Sequence, residues 1–189
     1  DGTIQGALEF ADLPCVGSGV FASSAAMDKT HMKAMLGSHK LPIGAYEAVT
    51  SQQWLHHKSA TLKRIEGLGL PVFVKPARAG SSLGVIKVKK HEDVAAAIDA
   101  ARVHDPKVIV EAAITDAREI ECGVLVRDGV AHASVPAEIV VKGNHEFYDF
   151  DAKYIDDAAD LIVPADLPAD VVAEVQSLAI KAFEALDCE

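Results

Sequence analysis

Residues 71–88, with the sequence PVFVKPARAGSSLGVIKV, form the stretch on which the fold assignment depends. Val72 and Val74 precede a short glycine–serine segment, and Val85 and Val88 follow it. Because β-branched residues fit the pleated surface of a sheet, this pattern predicts a strand, a small loop and a second strand. We therefore expect a hairpin whose loop is built from small residues.

The loop of this hairpin has the composition of an anion-binding turn. Gly80 and Gly84 flank Ser81 and Ser82, so backbone N–H groups and two hydroxyls can approach an anion without hindrance from larger side chains. Lys75 ends the first strand, and the proline after it favours an extended backbone there. These groups suit a polyphosphate, although a plain hairpin with a solvated lysine would show the same residues.

Length and composition indicate a globular chain and exclude several classes of protein. The 189 residues can bury a sizeable core, in one domain or in two small lobes, and 50% of them are hydrophobic. The net charge of −10 disfavours a nucleic-acid surface, so the charge of any anionic ligand must be met locally. No apolar run reaches membrane-spanning length and no signal peptide opens the chain, which favours a cytoplasmic protein with no membrane partner.

Cysteine and histidine spacing predicts neither disulfides nor a metal site. Cys15, Cys122 and Cys188 are odd in number and far apart, which indicates reduced, partly buried thiols. The eight histidines show no His-Glu-x-x-His spacing, and we predict no histidine metal site.

The order of the predicted elements indicates an α+β fold with several antiparallel hairpins. Asp28 is suited to cap a helix, and Asp128-Gly129 is a strong two-residue hairpin signal. Residues 142–156 show no helical or strand period and are expected to be functional or disordered. The predicted helices are 3–11, 29–38, 51–66, 91–104 and one that begins near 167. The predicted strands outside the central hairpin are a very short one within 13–16, before the turn at Gly17, and 45–50, 107–111, 118–126, 130–134 and 137–141.

Several widely separated motifs together resemble the D-alanine–D-alanine ligase family of the ATP-grasp superfamily. They occur in the family's order and cover essentially the whole chain. The resemblance implies an α+β ATP-grasp fold, with two antiparallel-sheet lobes around an ATP cleft and an incomplete C-terminal lobe. The motifs are Asp1-Gly-Thr-Ile-Gln-Gly6, Gly17-Ser-Gly19, Ala26-Met-Asp-Lys29, Val74-Lys-Pro, Gly80-Ser-Ser-Leu-Gly84, Val110-Glu111, Arg118-Glu-Ile-Glu-Cys-Gly-Val, Phe147-Tyr-Asp-Phe-Asp-Ala-Lys-Tyr154 and Val163-Pro-Ala165.

The resemblance implies which residues bind the ATP phosphates. Lys29 and Lys75 match the lysines that neutralise phosphate charge. As compact point charges, they can do so without bidentate geometry. Gly80 and Ser82 belong to the glycine–serine loop that acts as a lid in the family.

The nucleoside end of ATP is implied to contact other segments. Glu111, with the backbone of Ala112 and Ile114, matches the segment that hydrogen-bonds the adenine edge. Glu119 matches the acid that binds the ribose. Because one extra residue precedes this motif, Glu121 remains the alternative.

In the family, catalytic residues lie at the tip of the glycine–serine loop and on a second, mobile loop. Residues 142–156 match the mobile loop. Ser81 matches the serine that links the two loops, and Tyr148, Lys153 and Tyr154 are implied to close over the site. Closure would exclude water from the acyl phosphate that the family forms on the first D-alanine before the second D-alanine attacks. The position of Tyr154 favours an amino second substrate over D-lactate.

The resemblance also implies what the chain lacks. The family's Mg²⁺ ligands lie beyond the position of Glu189, so no metal ligand is nominated, and the chain alone is expected to be inactive. The expected divisions are 1–27, a remnant of the substrate domain; 28–117, the central lobe; and 118–189, the incomplete C-terminal lobe. The longer parent protein is expected to be a homodimer.

Two other functions remain open beside ATP-dependent ligation of two D-alanines for peptidoglycan precursors. One is an ATP-grasp ligase for another carboxylate and amine. The other is a nucleotide-binding domain without catalytic activity.

Overall fold

The computed structural model describes residues 1–142 and 159–189. The predicted residues Tyr148, Lys153 and Tyr154 therefore lie outside the described part. The helices are α1 (Thr3–Phe10), α2 (Val20–Met27), α3 (Lys29–Ser38), α4 (Ser51–His56), α5 (Lys58–Glu66), α6 (Val94–Ala101) and α7 (Ala169–Ala185). The strands are β1 (Tyr46–Val49), β2 (Val72–Pro76), β3 (Ile86–Val88), β4 (Val108–Ala112), β5 (Glu119–Glu121), β6 (Val124–Arg127), β7 (Val130–Ala133), β8 (Ala137–Val141) and β9 (Ala159–Ile162).

The chain forms two compact units. The central unit contains residues 27–30 and 43–116, and the C-terminal unit contains 1–26, 31–42 and the described residues from 117 to 189. The division into 1–27, 28–117 and 118–189 that was expected from the sequence stays a prediction.

A four-stranded antiparallel sheet with the order β1-β4-β2-β3 organises the central unit. The predicted central hairpin is β2 and β3, with Val72 opposite Val88 and Val74 opposite Ile86. Val72, Val74 and Val110 are fully buried in a core that also contains Trp54. Since burying one such aliphatic side chain stabilises a fold by about 1.5–3 kcal/mol, this face of the sheet holds the unit together.

A three-stranded antiparallel sheet, β5-β8-β9, and the hairpin of β6 and β7 belong to the C-terminal unit. The predicted turn between β6 and β7 is confirmed, because Asp128 and Gly129 both have positive φ angles, 55° and 76°. That conformation matches the right-handed twist of a two-residue hairpin. Helix α7 follows Pro168, which stands at its N-cap position.

The single helix predicted over residues 51–66 is wrong, because the structure has two helices there. Thr50 caps α4 through a reciprocal capping box with Gln53, and the backbone at His57 leaves the helical region with φ −134°. Buried Thr61 then donates its hydroxyl to the carbonyl of His57 at 3.0 Å. A local cap and a buried hydroxyl therefore override the uniform helical propensity of the segment.

The single strand predicted over residues 118–126 is also wrong. The chain pairs with β8 through β5 and then with β7 through β6. The change of partner occurs at Gly123, whose N–H donates to Ser134 Oγ at 3.0 Å and whose carbonyl accepts from Ser134 N at 2.8 Å.

Helix α2 and strand β9 were not predicted, and the very short strand predicted before Gly17 is wrong, because residues 13–16 form no strand.

The cysteines partly differ from expectation. Within the described residues the three thiols are free, but Cys15 is exposed, whereas Cys122 and Cys188 are half-buried as expected. None of the helices in the described ranges combines the length and apolarity needed to cross a membrane.

Candidate functional site

Strand alternation in the central unit separates an apolar face from a charged one. Along β2, Val72 and Val74 point into the core, while Phe73 and Lys75 are half-buried on the opposite face. Phe73 lies opposite Glu111 of β4, so this face carries both a cation and a carboxylate.

Lys75 and Glu111 form an ion pair on this face. Lys75 Nζ lies 2.5 Å from Glu111 Oε2, and the two side chains are 27% and 14% exposed. Their strand positions are diagonal neighbours, because Lys75 is opposite Ile109 and Glu111 is opposite Phe73. Long side chains reach across such a diagonal, so the pairing follows directly from the register.

Lys29 lies in the same electrostatic environment. Its ammonium donates hydrogen bonds to the carbonyl oxygens of Pro76 (3.3 Å), Ala77 (3.4 Å) and Ala79 (2.5 Å). Desolvation lowers the pKa of Lys29, and the positive charge of Lys75 lowers it further, while Glu111 opposes the shift. Lys29, Lys75 and Glu111, which the sequence analysis assigned to one nucleotide, therefore lie close together in the central unit.

The charge of this cluster suits an anion. Lys29 and Lys75 contribute two ammonium groups and Glu111 contributes one carboxylate. The nearby carboxylates of Asp28 and Asp105 are each paired with another cation, so the cluster keeps a local positive excess in a chain of net charge −10. Lys87 of β3 adds a third cation, with its Nζ 5.8 Å from the centre of the Phe73 ring. Phe73 and Lys87 were not predicted as site residues, although the period-2 pattern of the strands could have placed both of them.

The glycine–serine loop between β2 and β3 has an unusual backbone. Ser81 and Ser82 both have positive φ angles, 52° and 57°, a conformation that is uncommon outside glycine. Gly84 has φ 70°, and a Cβ atom built there would lie 2.5 Å from His104 Cδ2. Glycine is thus required at 84, whereas Gly80 has open space around it.

Ala112 and Ile114 lie at and beyond the end of β4. The N–H of Ala112 donates to the Ala45 carbonyl at 3.0 Å, and the next N–H donates to the Pro71 carbonyl at 3.0 Å. Ile114 follows this anchored end and is 72% exposed. The backbone after β4 is therefore fixed by the neighbouring strands, which would give an adenine-binding edge a rigid support.

Glu119 and Glu121 belong to the C-terminal unit. Both are exposed and, being two residues apart in β5, lie on the same face of that strand. Their positions are therefore equivalent, and either glutamate could be the ribose-binding acid. Beside them, Arg118 donates to both carboxylate oxygens of Glu138, at 2.7 and 2.6 Å.

Two buried carboxylates near the lysines form ion pairs that were not predicted; Asp28 was predicted only as a helix cap, and Asp105 was not predicted at all. Asp28 accepts a hydrogen bond from Lys107 Nζ at 2.7 Å, and Asp105 accepts one from Arg78 Nη2 at 2.7 Å. The partners of each pair are distant in sequence, 79 and 27 residues apart, so no local pattern could have joined them.

Comparison with known proteins identifies the family. The family described as "D-ala D-ala ligase C-terminus" matches residues 35–189. The chain is 57% identical over 190 residues to the D-alanine–D-alanine ligase of Frankia casuarinae, covering 100% of this chain and 48% of that protein. It is 52% identical over 194 residues to the D-alanine–D-alanine ligase of Mycobacterium avium, covering 100% of this chain and 51% of that protein. The chain thus spans about half the length of these curated relatives.

Solved structures show the same relationship. The VanG D-Ala:D-Ser ligase from Enterococcus faecalis matches with a TM-score of 0.86 at 32% identity, covering 100% of this chain and 53% of that chain. D-alanyl-alanine synthetase A from Vibrio cholerae matches with a TM-score of 0.85 at 29% identity, covering 100% of this chain and 56% of that chain. The chain belongs to the D-alanine–D-alanine ligase C-terminal family and has its α+β ATP-grasp fold.

Proposed function

We propose that the chain forms the ATP-binding part of a D-alanine–D-alanine ligase that makes a peptidoglycan precursor. The observation that carries this proposal is the cluster of Lys29, Lys75 and Glu111, which the family resemblance assigned to one nucleotide. The curated relatives bearing that enzyme name are 57% and 52% identical to this chain.

The chemistry that we propose depends on charge and positioning. Lys29 and Lys75 would neutralise phosphate charge during transfer of the γ-phosphoryl group to the carboxylate of one D-alanine, which gives an acyl phosphate. The amine of a second D-alanine would then attack its carbonyl carbon and release phosphate. Phosphoryl transfer needs little covalent chemistry from the protein. Two fixed cations that neutralise charge and a loop that covers the phosphates would therefore suit this reaction.

The remaining roles rest on the resemblance alone. Gly80 and Ser82 would cover the phosphates, and Ser81 would link to residues 142–156. Those residues include Tyr148, Lys153 and Tyr154, which would close over the intermediate.

The nucleoside contacts are proposed on the same basis. Glu111, Ala112 and Ile114 would bind the adenine edge, and Glu119 or Glu121 would bind the ribose.

Mg²⁺ is implied by the family, but the described residues offer it no site. In residues 1–142 and 159–189, no group of three His, Cys, Asp or Glu side chains could hold a metal ion. No residue is assigned a metal-binding role. We propose that activity belongs to the longer protein, because the chain spans only about half the length of its curated relatives, and that this protein is a homodimer. Use of ATP and free cysteines fit a cytoplasmic enzyme.

A coupled ADP-release assay on the full-length protein tests the proposal. We expect ADP release with D-alanine and none above background with L-alanine. D-serine and D-lactate, each added with a limiting amount of D-alanine, test the second substrate, because a structural relative is named a D-Ala:D-Ser ligase. ATP binding without ADP release under any of these conditions would instead favour a nucleotide-binding domain without catalytic activity.

A further inference from the structure

Asp105 occupies the centre of a buried polar network in the central unit. The residue is 3% exposed and its carboxylate accepts four hydrogen bonds. Three come from Arg78, through N (2.8 Å), Nε (3.0 Å) and Nη2 (2.7 Å), and the fourth comes from Lys107 N (3.0 Å). One buried side chain thereby fixes the backbone at two points that are distant in sequence.

The same network reaches the segment that holds Lys29. Lys107 accepts the N–H of Ala77 at 2.9 Å, and the Ala77 carbonyl accepts the backbone N–H of Lys29 at 3.0 Å. Asp28, adjacent to Lys29, accepts Lys107 Nζ at 2.7 Å and the N–H of Thr30 at 3.1 Å. The hydrogen bonds therefore form a closed circuit that begins and ends beside Lys29.

The ammonium of Lys29 contacts the segment around Ala77, a residue that belongs to this circuit. Its three carbonyl partners belong to Pro76, Ala77 and Ala79, and Asp105 holds the intervening N–H of Arg78. A shift of this segment would displace the oxygen atoms that orient the ammonium.

Stability alone is a weak reason for such an arrangement. Buried ion pairs contribute little net stability compared with apolar side chains of the same size, because desolvation offsets their attraction. Burial of Asp105 raises its pKa, but hydrogen bonds from Arg78 and Lys107 outweigh that effect and the pKa is lowered overall. The carboxylate is thus held ionised, which suits a group that must keep several donors in fixed positions.

We infer that Asp105 is a positioning residue for Lys29: by fixing segment 77–79 it places the Lys29 ammonium where it meets the ATP phosphates. This inference rests on the proposed function only in that the ligand is ATP. Asp105 itself does not touch the nucleotide, and it acts through the carbonyl groups that hold Lys29.

The test compares ATP with adenosine as ligands of the full-length protein carrying Asp105→Asn. Asparagine keeps the size of the side chain but loses the charge and one acceptor. We expect the Kd for ATP, measured by calorimetry, to rise at least fivefold, and the Kd for adenosine to change less than twofold. Only ATP has phosphates for Lys29 to bind, so this difference separates positioning from general loss of structure.

Asp99→Asn is the matched control in the same unit. Asp99 accepts a hydrogen bond from Trp54 Nε1 at 2.6 Å and lies outside the circuit around Lys29. We expect this variant to lower the melting temperature without changing the Kd for ATP. If Asp105→Asn does not fold, Arg78→Gln is tested instead, because the Arg78 side chain is 52% exposed and its replacement disturbs the core less. We expect this variant to lose less affinity for ATP than Asp105→Asn and to keep its affinity for adenosine.

The other possible results contradict either the positioning role of Asp105 or the proposed ligase function. Equal weakening of ATP and adenosine, or no change in either, would overturn the positioning role. If the unmodified protein binds ATP but releases no ADP with D-alanine, the ligase proposal fails. The effect of Asp105→Asn on the Kd for ATP can still be measured in that case. Absence of ATP binding by the unmodified protein would overturn both.

Discussion

Lys75 Nζ lies 2.5 Å from Glu111 Oε2 on the charged face of the central sheet, although the two residues belong to different strands. The pair places a carboxylate beside one of two neighbouring ammonium groups, so Glu111 both orients Lys75 and moderates the repulsion between Lys75 and Lys29. The functional importance of each cation can be measured separately.

Lys75→Ala should weaken ATP binding by the full-length protein. A hydrogen bond to a charged group contributes about 1.5–3 kcal/mol, which corresponds to a roughly 10- to 150-fold rise in Kd. Lys90→Ala is the control, because the Lys90 side chain is 71% exposed and pairs only loosely with Glu92 at 3.7 Å. Equal ATP affinities in the two variants, measured by calorimetry, would contradict the assignment of Lys75.

The lowered pKa of Lys29 predicts two effects of pH with opposite signs. Its causes are desolvation first and then the charge of Lys75, so the folded-state pKa lies below the ordinary value of 10.5. Between these two values the unfolded chain binds more protons, and the free energy of unfolding gains a contribution that rises with pH. ATP affinity should fall in the same window, because Lys29 loses its charge.

Lys29→Arg separates these effects from the titration of other groups. Arginine keeps its charge across this range, so the alkaline loss of ATP affinity should become smaller in the variant. Calorimetric Kd values and urea unfolding at matched pH provide the measurements. The same pH dependence in both proteins would show that another group is responsible.

Gly84→Ala should destabilise the chain by about 1–3 kcal/mol, because φ 70° is strained for alanine and the new Cβ would meet His104. Gly80→Ala is the matched control, since a Cβ there meets nothing within 4 Å and Gly80 has no positive φ angle. Urea unfolding should show little change for Gly80→Ala. Adding His104→Ala to Gly84→Ala should recover part of the loss, and full recovery would show that backbone strain contributes nothing.

Glu119 and Glu121 can be distinguished by their preference for a ribose hydroxyl. The acid that binds the ribose should discriminate between ATP and 2′-deoxy-ATP, so its replacement by glutamine should reduce that discrimination several-fold. The other glutamate serves as the control, because it lies on the same face of β5. Unchanged discrimination in both variants would place the ribose contact elsewhere.

The sequence predicted most reliably those features whose signals are local. Val72 and Val74 predicted the first strand of the central hairpin, and Asp128-Gly129 predicted the second hairpin that the structure contains. Ordered motifs predicted the family, and the family matches confirm it.

Features that depend on distant contacts or weak patterns could not be predicted in this way. Helix α2, VFASSAAM, consists largely of alanine and serine and has no strong apolar stripe, so its periodicity gave no signal. Asp105 stands in an ordinary turn sequence, and only the fold brings it to Arg78. The same holds for Asp28 and Lys107.

The three carbonyl oxygens around Lys29 have a consequence for selectivity. An ammonium group has three N–H donors, and in this fold all of them already have protein acceptors within reach. An incoming anion must therefore compete with neutral oxygen atoms, and a singly charged metabolite gains little from that exchange. We therefore expect this position to favour densely charged anions over singly charged ones.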